Sequence, residues 1–141
     1  MAKLSVLMSS YNHQSFISEA IQSVLNQSFQ DWEFLIMDDC STDESFLTAK
    51  KFENQDSRIK VFKSPYNRGM VQNTNELILA SKGEYIAIIN SDDYWEENYL
   101  QTISELHINY PSAKVLATNY QYQLHSDELK STILKKINFE D

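Results

Sequence analysis

The sequence predicts an α/β fold with an open, mostly parallel sheet flanked by helices. Three observations carry that prediction. Strand-length apolar runs alternate with helix-length amphipathic runs, the pattern of βαβ units with right-handed crossovers. The connections are short, and no Pro/Gly/Ser-rich linker, internal repeat or low-complexity segment interrupts the beat. At 141 residues, 42% hydrophobic and 23% charged, the chain can bury one real core and is too apolar to be disordered.

The elements follow in order. Lys3 to Met8 reads as a strand, and Ser15 to Asn26 as a helix in which Phe16, Ala20, Ile21, Val24 and Leu25 recur at the helical period. Glu33 to Met37 is the second strand and Asp43 to Asn54 the second helix. Ile59 to Phe62 is the third strand, and Met70 to Ser81, carrying Leu77, Ile78 and Leu79, the third helix. Tyr85 to Ile89 is an unbroken apolar run, which predicts a strand buried on both faces. A helix from Glu96 to Tyr110 stops at Pro111, and a fifth strand runs from Val115 to Gln121. The tail from Leu124 to Asp141 admits one more helix, with Leu129, Ile133, Leu134 and Ile137 on one side. Residues 1–123 are therefore expected to form the domain, and 124–141 a C-terminal tail.

Composition excludes several functions. The two glycines, Gly69 and Gly83, are too few and too far apart for a dinucleotide fingerprint or a P-loop. Twelve Lys and Arg against twenty Asp and Glu give a net charge of −8, so a nucleic-acid backbone would be repelled. Lys135-Lys136 is only a pair and does not reverse this locally. The lone Cys40 allows no internal disulfide and fits a reducing cytoplasm. His13, His107 and His125 are too scattered for a zinc site. The apolar runs are strand-length and no signal-peptide pattern opens the chain, so no transmembrane segment is expected.

In open parallel sheets, ligands sit beyond the carboxyl ends of the strands. The loops expected there are unusually polar: Ser9-Ser10-Tyr11-Asn12-His13, Asp38-Asp39-Cys40-Ser41-Thr42-Asp43, Lys63-Ser64-Pro65-Tyr66-Asn67-Arg68-Gly69 and Asn90-Ser91-Asp92-Asp93. Two acidic pairs on one rim repel unless something offsets them, and a divalent cation does. Oxygen ligands without His or Cys suit Mg²⁺ or Mn²⁺, which complete their shells with phosphate oxygens. The residues thus point to a metal-assisted phosphate site built without glycines.

Plainer roles compete. Asp38 and Asp39 are also good turn residues before a helix capped by Ser41, with Glu44 completing a capping box. Asp93 followed by Glu96 carries the same signal, which makes Asp93 an N-cap. His13 reads as a loop residue rather than a ligand, Cys40 as an inert small side chain, and Trp32 and Trp95 as packing.

The motifs, taken together, resemble family 2 glycosyltransferases. The match runs through Val6-Leu7-Met8-Ser9-Ser10-Tyr11-Asn12, Ile21-Gln22-Ser23-Val24-Leu25-Asn26-Gln27-Ser28-Phe29 and Phe34-Leu35-Ile36-Met37-Asp38-Asp39-Cys40-Ser41-Thr42-Asp43. Asn67-Arg68-Gly69, Lys82-Gly83-Glu84-Tyr85-Ile86 and Asn90-Ser91-Asp92-Asp93 continue it in order, so that it covers residues 3 to 105. The first two stretches look most like the spore-coat polysaccharide branch. The resemblance implies a GT-A fold with a Rossmann-like nucleotide-binding half, a UDP- or dTDP-sugar donor, Mn²⁺ or Mg²⁺, and inverting transfer to a glycan or lipid-linked acceptor. It places the work in the cytoplasm, at the inner membrane face where the acceptor is lipid-linked, in cell-surface polysaccharide synthesis. Carried over by position, Ser9 and Tyr11 border the base, Asp39 accepts its N3–H, Asp92 meets the ribose, and Asp93 binds the metal. Asp38 is then a structural member of its pair, and Arg68 is available to the phosphates.

Two positions depart from the family pattern. Thr74 and Asn75 stand where an Arg-Asn pair is usual, and Ser9 where proline is usual. The carboxylate base that inversion needs lies well past the Ser-Asp-Asp motif in the family, and Asp127, Glu128, Glu140 and Asp141 match no such motif. The donor half is therefore expected here, and the acceptor half with its base largely outside this chain. The alternatives are a non-catalytic nucleotide-sugar-binding module, and a receiver or haloacid-dehalogenase-like phosphoacceptor. The latter is disfavoured by Ser9-Ser10 after the first strand and Thr118-Asn119 in the fifth.

Overall fold

The computed structural model describes residues 3–116. They form β1 (Leu4–Ser10), α1 (Ile17–Leu25), β2 (Trp32–Asp38), α2 (Ser45–Glu53), β3 (Ile59–Lys63), α3 (Met70–Ala80), β4 (Tyr85–Ile88) and α4 (Tyr99–Asn109). The four strands make one parallel sheet in the order β3-β2-β1-β4, which bears out the expected fold class. The chain divides into two compact units, Met1–Thr102 and Ile103–Asp141. The first contains the sheet, α1 to α3 and the start of α4. Of the second, the described part is the rest of α4 and a turn closed by the Ala113 N–H on the Tyr110 carbonyl at 3.0 Å.

Period-two alternation along the strands splits the core between two faces. Leu4, Val6 and Met8 of β1 and Trp32, Phe34 and Ile36 of β2 face Ile17, Ala20, Ile21 and Val24 of α1. Each large aliphatic side chain buried there stabilises by about 1.5–3 kcal/mol. On the other face, Leu7, Leu35 and Met37 pack under Leu77 of α3.

Three expectations need correction. β4 is not buried on both faces: Ala87 joins the core, whereas Ile86 and Ile88 are 42% and 54% exposed. Among the described residues β4 is an edge strand, and α3 packs over β1 and β2, so alternate residues of β4 turn outward. The second helix starts at Ser45 and the fourth at Tyr99, later than expected, because the residues read as caps are engaged elsewhere. Val115 and Leu116 form no strand. The remainder of the expected fifth strand, the tail helix and the boundary at 123/124 lie outside the described residues.

The two glycines serve different needs. Gly69 begins α3 at φ +84°, where a side chain would have free space but a strained backbone. A Cβ on Gly83 would lie 2.5 Å from the Ser5 nitrogen and 2.8 Å from the Leu4 carbonyl carbon, so close approach to β1 demands glycine there.

Candidate functional site

Because the strands are parallel, all four carboxyl ends open on one rim, and the four polar loops meet there. The β1–α1 loop is stitched to the loop after β2. The Asn12 N–H donates to Ser41 Oγ at 3.0 Å, the Thr42 N–H to Asn12 Oδ1 at 2.9 Å, and the His13 N–H to Ser45 Oγ at 2.9 Å. The Gln14 N–H donates to Asp43 Oδ2 at 3.0 Å. These contacts replace the expected capping box: Ser41 is occupied by Asn12, and Asp43 Oδ1 accepts the Ser45 N–H at 2.9 Å. Asn12 and Cys40 hold positive φ values of 52° and 63°, a conformation that is costly for cysteine.

The acidic pair after β2 splits its duties. Asp38, 1% exposed, accepts the Ser41 N–H on Oδ2 at 2.9 Å and closes the turn, while its Oδ1 is buried without a partner. Asp39 reaches across to the loop after β3, where Oδ1 accepts the Arg68 N–H and Oδ2 the Gly69 N–H, both at 2.8 Å. Burial works against its charge. The N–H groups of Arg68 and Gly69 and the Asn73 side chain outweigh that and hold the carboxyl below its ordinary value of 3.8. Asp39 is thus a fixed anion at the centre of the rim.

Arg68 lies beside it, but its guanidinium is committed. It pairs with Glu76 through both nitrogens, and Nη2 also donates to Ser64 Oγ and Asn73 Oδ1, each at 3.1 Å. Asn73, fully buried, is the hub that sequence reasoning missed. It accepts from Ser64 Oγ at 2.9 Å and donates to Ser9 Oγ at 3.4 Å. A signal was available: Asn73 sits one helical turn before Leu77, a polar residue on an apolar stripe.

Tyr11 follows β1 with its ring 44% exposed. After β4, Asp92 and Asp93 stand exposed. Asp93 is not an N-cap, because α4 begins only at Tyr99; instead Asp93 Oδ2 accepts from Asn90 Nδ2 at 2.8 Å. Ser9, Tyr11, Asp39, Arg68, Asp92 and Asp93 therefore all lie on the one rim, and Thr74 lies in α3 behind it. Asp92 and Asp93 supply hard oxygen donors from a single turn, and the described residues hold no cluster of three or more metal-ligating side chains. That set fits a cation that brings phosphate ligands with it and does not fit a protein-only cage. No described helix is long and apolar enough to cross a membrane.

A family model described as "Glycosyl transferase family 2" matches residues 5–140. The chain is 37% identical over 98 residues to a putative teichuronic acid biosynthesis glycosyltransferase of Bacillus subtilis, covering 70% of this chain and 39% of that protein. It is 39% identical over 98 residues to an Escherichia coli UDP-Glc:alpha-D-GlcNAc-diphosphoundecaprenol beta-1,3-glucosyltransferase, covering 70% of this chain and 38% of that protein. Residues 1–349 of Staphylococcus aureus TarS, in complex with UDP-GlcNAc, superimpose with a TM-score of 0.73 at 28% identity, over 77% of this chain and 32% of that one. The chain thus spans about two-fifths of the curated relatives it matches. With a GT-A type sheet and this profile match across nearly its whole length, the chain belongs to glycosyl transferase family 2.

Proposed function

We propose that this chain is the donor-binding part of a glycosyltransferase that moves a sugar from a UDP- or dTDP-sugar to an acceptor hydroxyl, with inversion, in cell-surface polysaccharide synthesis. The observation that carries the reading is the family match over residues 5–140, joined to a single rim where the loops carrying Ser9 and Tyr11, Asp39, Arg68, and Asp92 and Asp93 converge. The UDP-GlcNAc complex of a structural neighbour supports a nucleoside diphosphate donor, and the diphosphoundecaprenol acceptor in a relative's name supports a lipid-linked or glycan acceptor.

In this reading Tyr11, whose ring is partly exposed, stacks on the base beside Ser9. Asp39, kept anionic by its backbone donors, accepts the base N3–H through lone pairs those donors leave open. Asp92 would receive the ribose hydroxyls, and Asp93 would hold Mn²⁺ or Mg²⁺. When bound, that cation stabilises the charge developing on the leaving diphosphate as a Lewis acid. Arg68 sets the base side of the rim through its N–H on Asp39, and its guanidinium serves the phosphates only where it exchanges Glu76 for them.

A thermal-shift titration with UDP, dTDP, GDP and ADP, each with and without Mn²⁺, tests this. Ligand at roughly 100 times its Kd adds about 2.7 kcal/mol, a rise of several degrees. A Mn²⁺-dependent rise with UDP or dTDP alone, absent in Asp93→Ala, is expected. The same rise with all four nucleotides, or none with any, would contradict the reading.

A further inference from the structure

The turn that carries Asp92 and Asp93 lies beyond the end of the sheet. β4 stops at Ile88, and the Ile89 N–H on the Leu7 carbonyl, at 3.0 Å, still ties this segment to the β1 backbone. Two exposed carboxylates on such a turn repel each other, so keeping them in place takes contacts from elsewhere. One hold is local: Asn90 Nδ2 donates to Asp93 Oδ2 at 2.8 Å, and the Asp93 N–H returns to the Asn90 carbonyl at 3.2 Å. The other comes from far along the chain. His13 Nδ1 lies 2.7 Å from Oγ of Ser91, the residue between Asn90 and Asp92.

Both ends of that contact are rigid. Ser91 is 1% exposed, and its hydroxyl also lies 3.4 Å from the Ser9 carbonyl. The His13 backbone is pinned on both sides: its N–H donates to buried Ser45, and its carbonyl accepts the Phe16 and Ile17 N–H groups, both at 2.9 Å, at the head of α1. Asn12 and Gln14, its neighbours, are tied to Ser41, Thr42 and Asp43. The Phe16 ring stands edge-on to the imidazole at 6.2 Å. A side chain carried on a backbone held this firmly loses less freedom in making one hydrogen bond than one on a loose loop.

We propose that His13 is a positioning residue for the acidic turn. Through Ser91 it locks Asn90–Asp93 to the loops that carry Tyr11 and Asp39, so that the cation–diphosphate unit meets carboxylates already in place. The strut joins the metal side of the rim to the base side. The proposal deepens the reading under Proposed function and rests on it.

Isothermal titration of the full chain with UDP, with and without Mn²⁺, tests it in wild type, His13→Ala, Ser91→Ala, the double variant and His13→Asn. His13→Ala is expected to weaken Mn²⁺-supported UDP binding about tenfold, the low end of what outer-sphere partners of metal ligands contribute. Metal-free UDP binding should stay unchanged and show that the rim is folded. The double variant should be no worse than Ser91→Ala alone, since that change already removes the contact to His13. His13→Asn should recover binding, because its amide reaches where Nδ1 stood. Electron paramagnetic resonance of Mn²⁺ in the presence of UDP should report the same loss without any transfer assay. Equal Mn²⁺ dependence in wild type and His13→Ala, or additive losses in the double variant, would overturn the proposal. Wild type that fails to bind UDP with Mn²⁺ would instead overturn the function itself, and the strut with it.

Discussion

The two rims of the sheet are built from the same strands and treat their polar groups in opposite ways. At the amino ends, Ser5 Oγ donates to Glu33 Oε1 at 2.6 Å, the Lys82 N–H shares that oxygen at 2.6 Å, and the Gly83 N–H donates to Ser5 Oγ at 2.8 Å. This rim is a closed circuit. At the carboxyl ends, Ser10 Oγ, Asp38 Oδ1 and Arg68 Nε are buried without partners, and two non-glycine residues sit at positive φ. Ser10 and Asp38 are register partners on β1 and β2, so two orphaned atoms stand on adjacent strands. Trp32 Nε1 at the amino rim is the exception, and there the Arg58 guanidinium covers the ring at 3.6 Å. Unmet groups and strain persist where the surroundings hold them and where binding can use them. The amino rim stabilises the sheet; the carboxyl rim gives up some stability to remain a site.

The largest expected break is at the closed rim. Gly83→Ala drives a Cβ into the β1 backbone and should cost about 3 kcal/mol in urea denaturation, while the folded fraction binds UDP as before. A loss below about 1 kcal/mol would mean that the Lys82-Gly83 turn is not rigidly docked.

Asp39 should come next. Asp39→Asn leaves one N–H of Arg68 or Gly69 facing an amide donor and should cost about 2 kcal/mol at neutral pH. Because the folded carboxyl is held below 3.8, its contribution is complete above that value and drains as pH falls through the lowered one. Wild type should therefore lose more stability than Asp39→Asn between about pH 4 and pH 2 in a series of melting curves. Asp43, Glu53 and Asp56, also lowered, keep an acid dependence in both proteins.

Smallest is the effect at Cys40. Relieving its positive φ with Cys40→Gly should be neutral or raise stability by about 0.5–1 kcal/mol, whereas Cys40→Val should lower it, because a β-branched side chain tolerates that backbone least. Stabilisation by valine would mean that the turn carries no strain.

Much of this architecture was legible in the sequence, and several of the failures share one cause. Eight elements appear in the expected order, because apolar periodicity is a local property and the core faces obey it. The matched motifs that follow the strands also end on one rim, since parallel strands leave them no alternative, whereas Lys82-Gly83 precedes β4 and sits on the other. What local patterns could not show is competition between distant partners. Ser41 looks like a cap until Asn12, 29 residues away, takes its hydroxyl. His13 looks like an idle loop residue until Ser91, 78 residues on, meets its ring. Arg68 looks free for phosphate until Glu76 claims it. The outward turn of Ile86 and Ile88 follows from β4 lying at the edge of the described sheet, which an apolar run does not reveal.

The division between the rims is tested most directly by amide chemical-shift mapping of the ¹⁵N-labelled chain during titration with UDP and Mg²⁺. Shifts are expected to concentrate at Ser9–His13, Asp38–Thr42, Ser64–Gly69 and Asn90–Asp93, with Ser5, Glu33, Lys82 and Gly83 unmoved. Saturable shifts centred on the Ser5–Glu33–Gly83 circuit, with the four carboxyl-end loops silent, would contradict it.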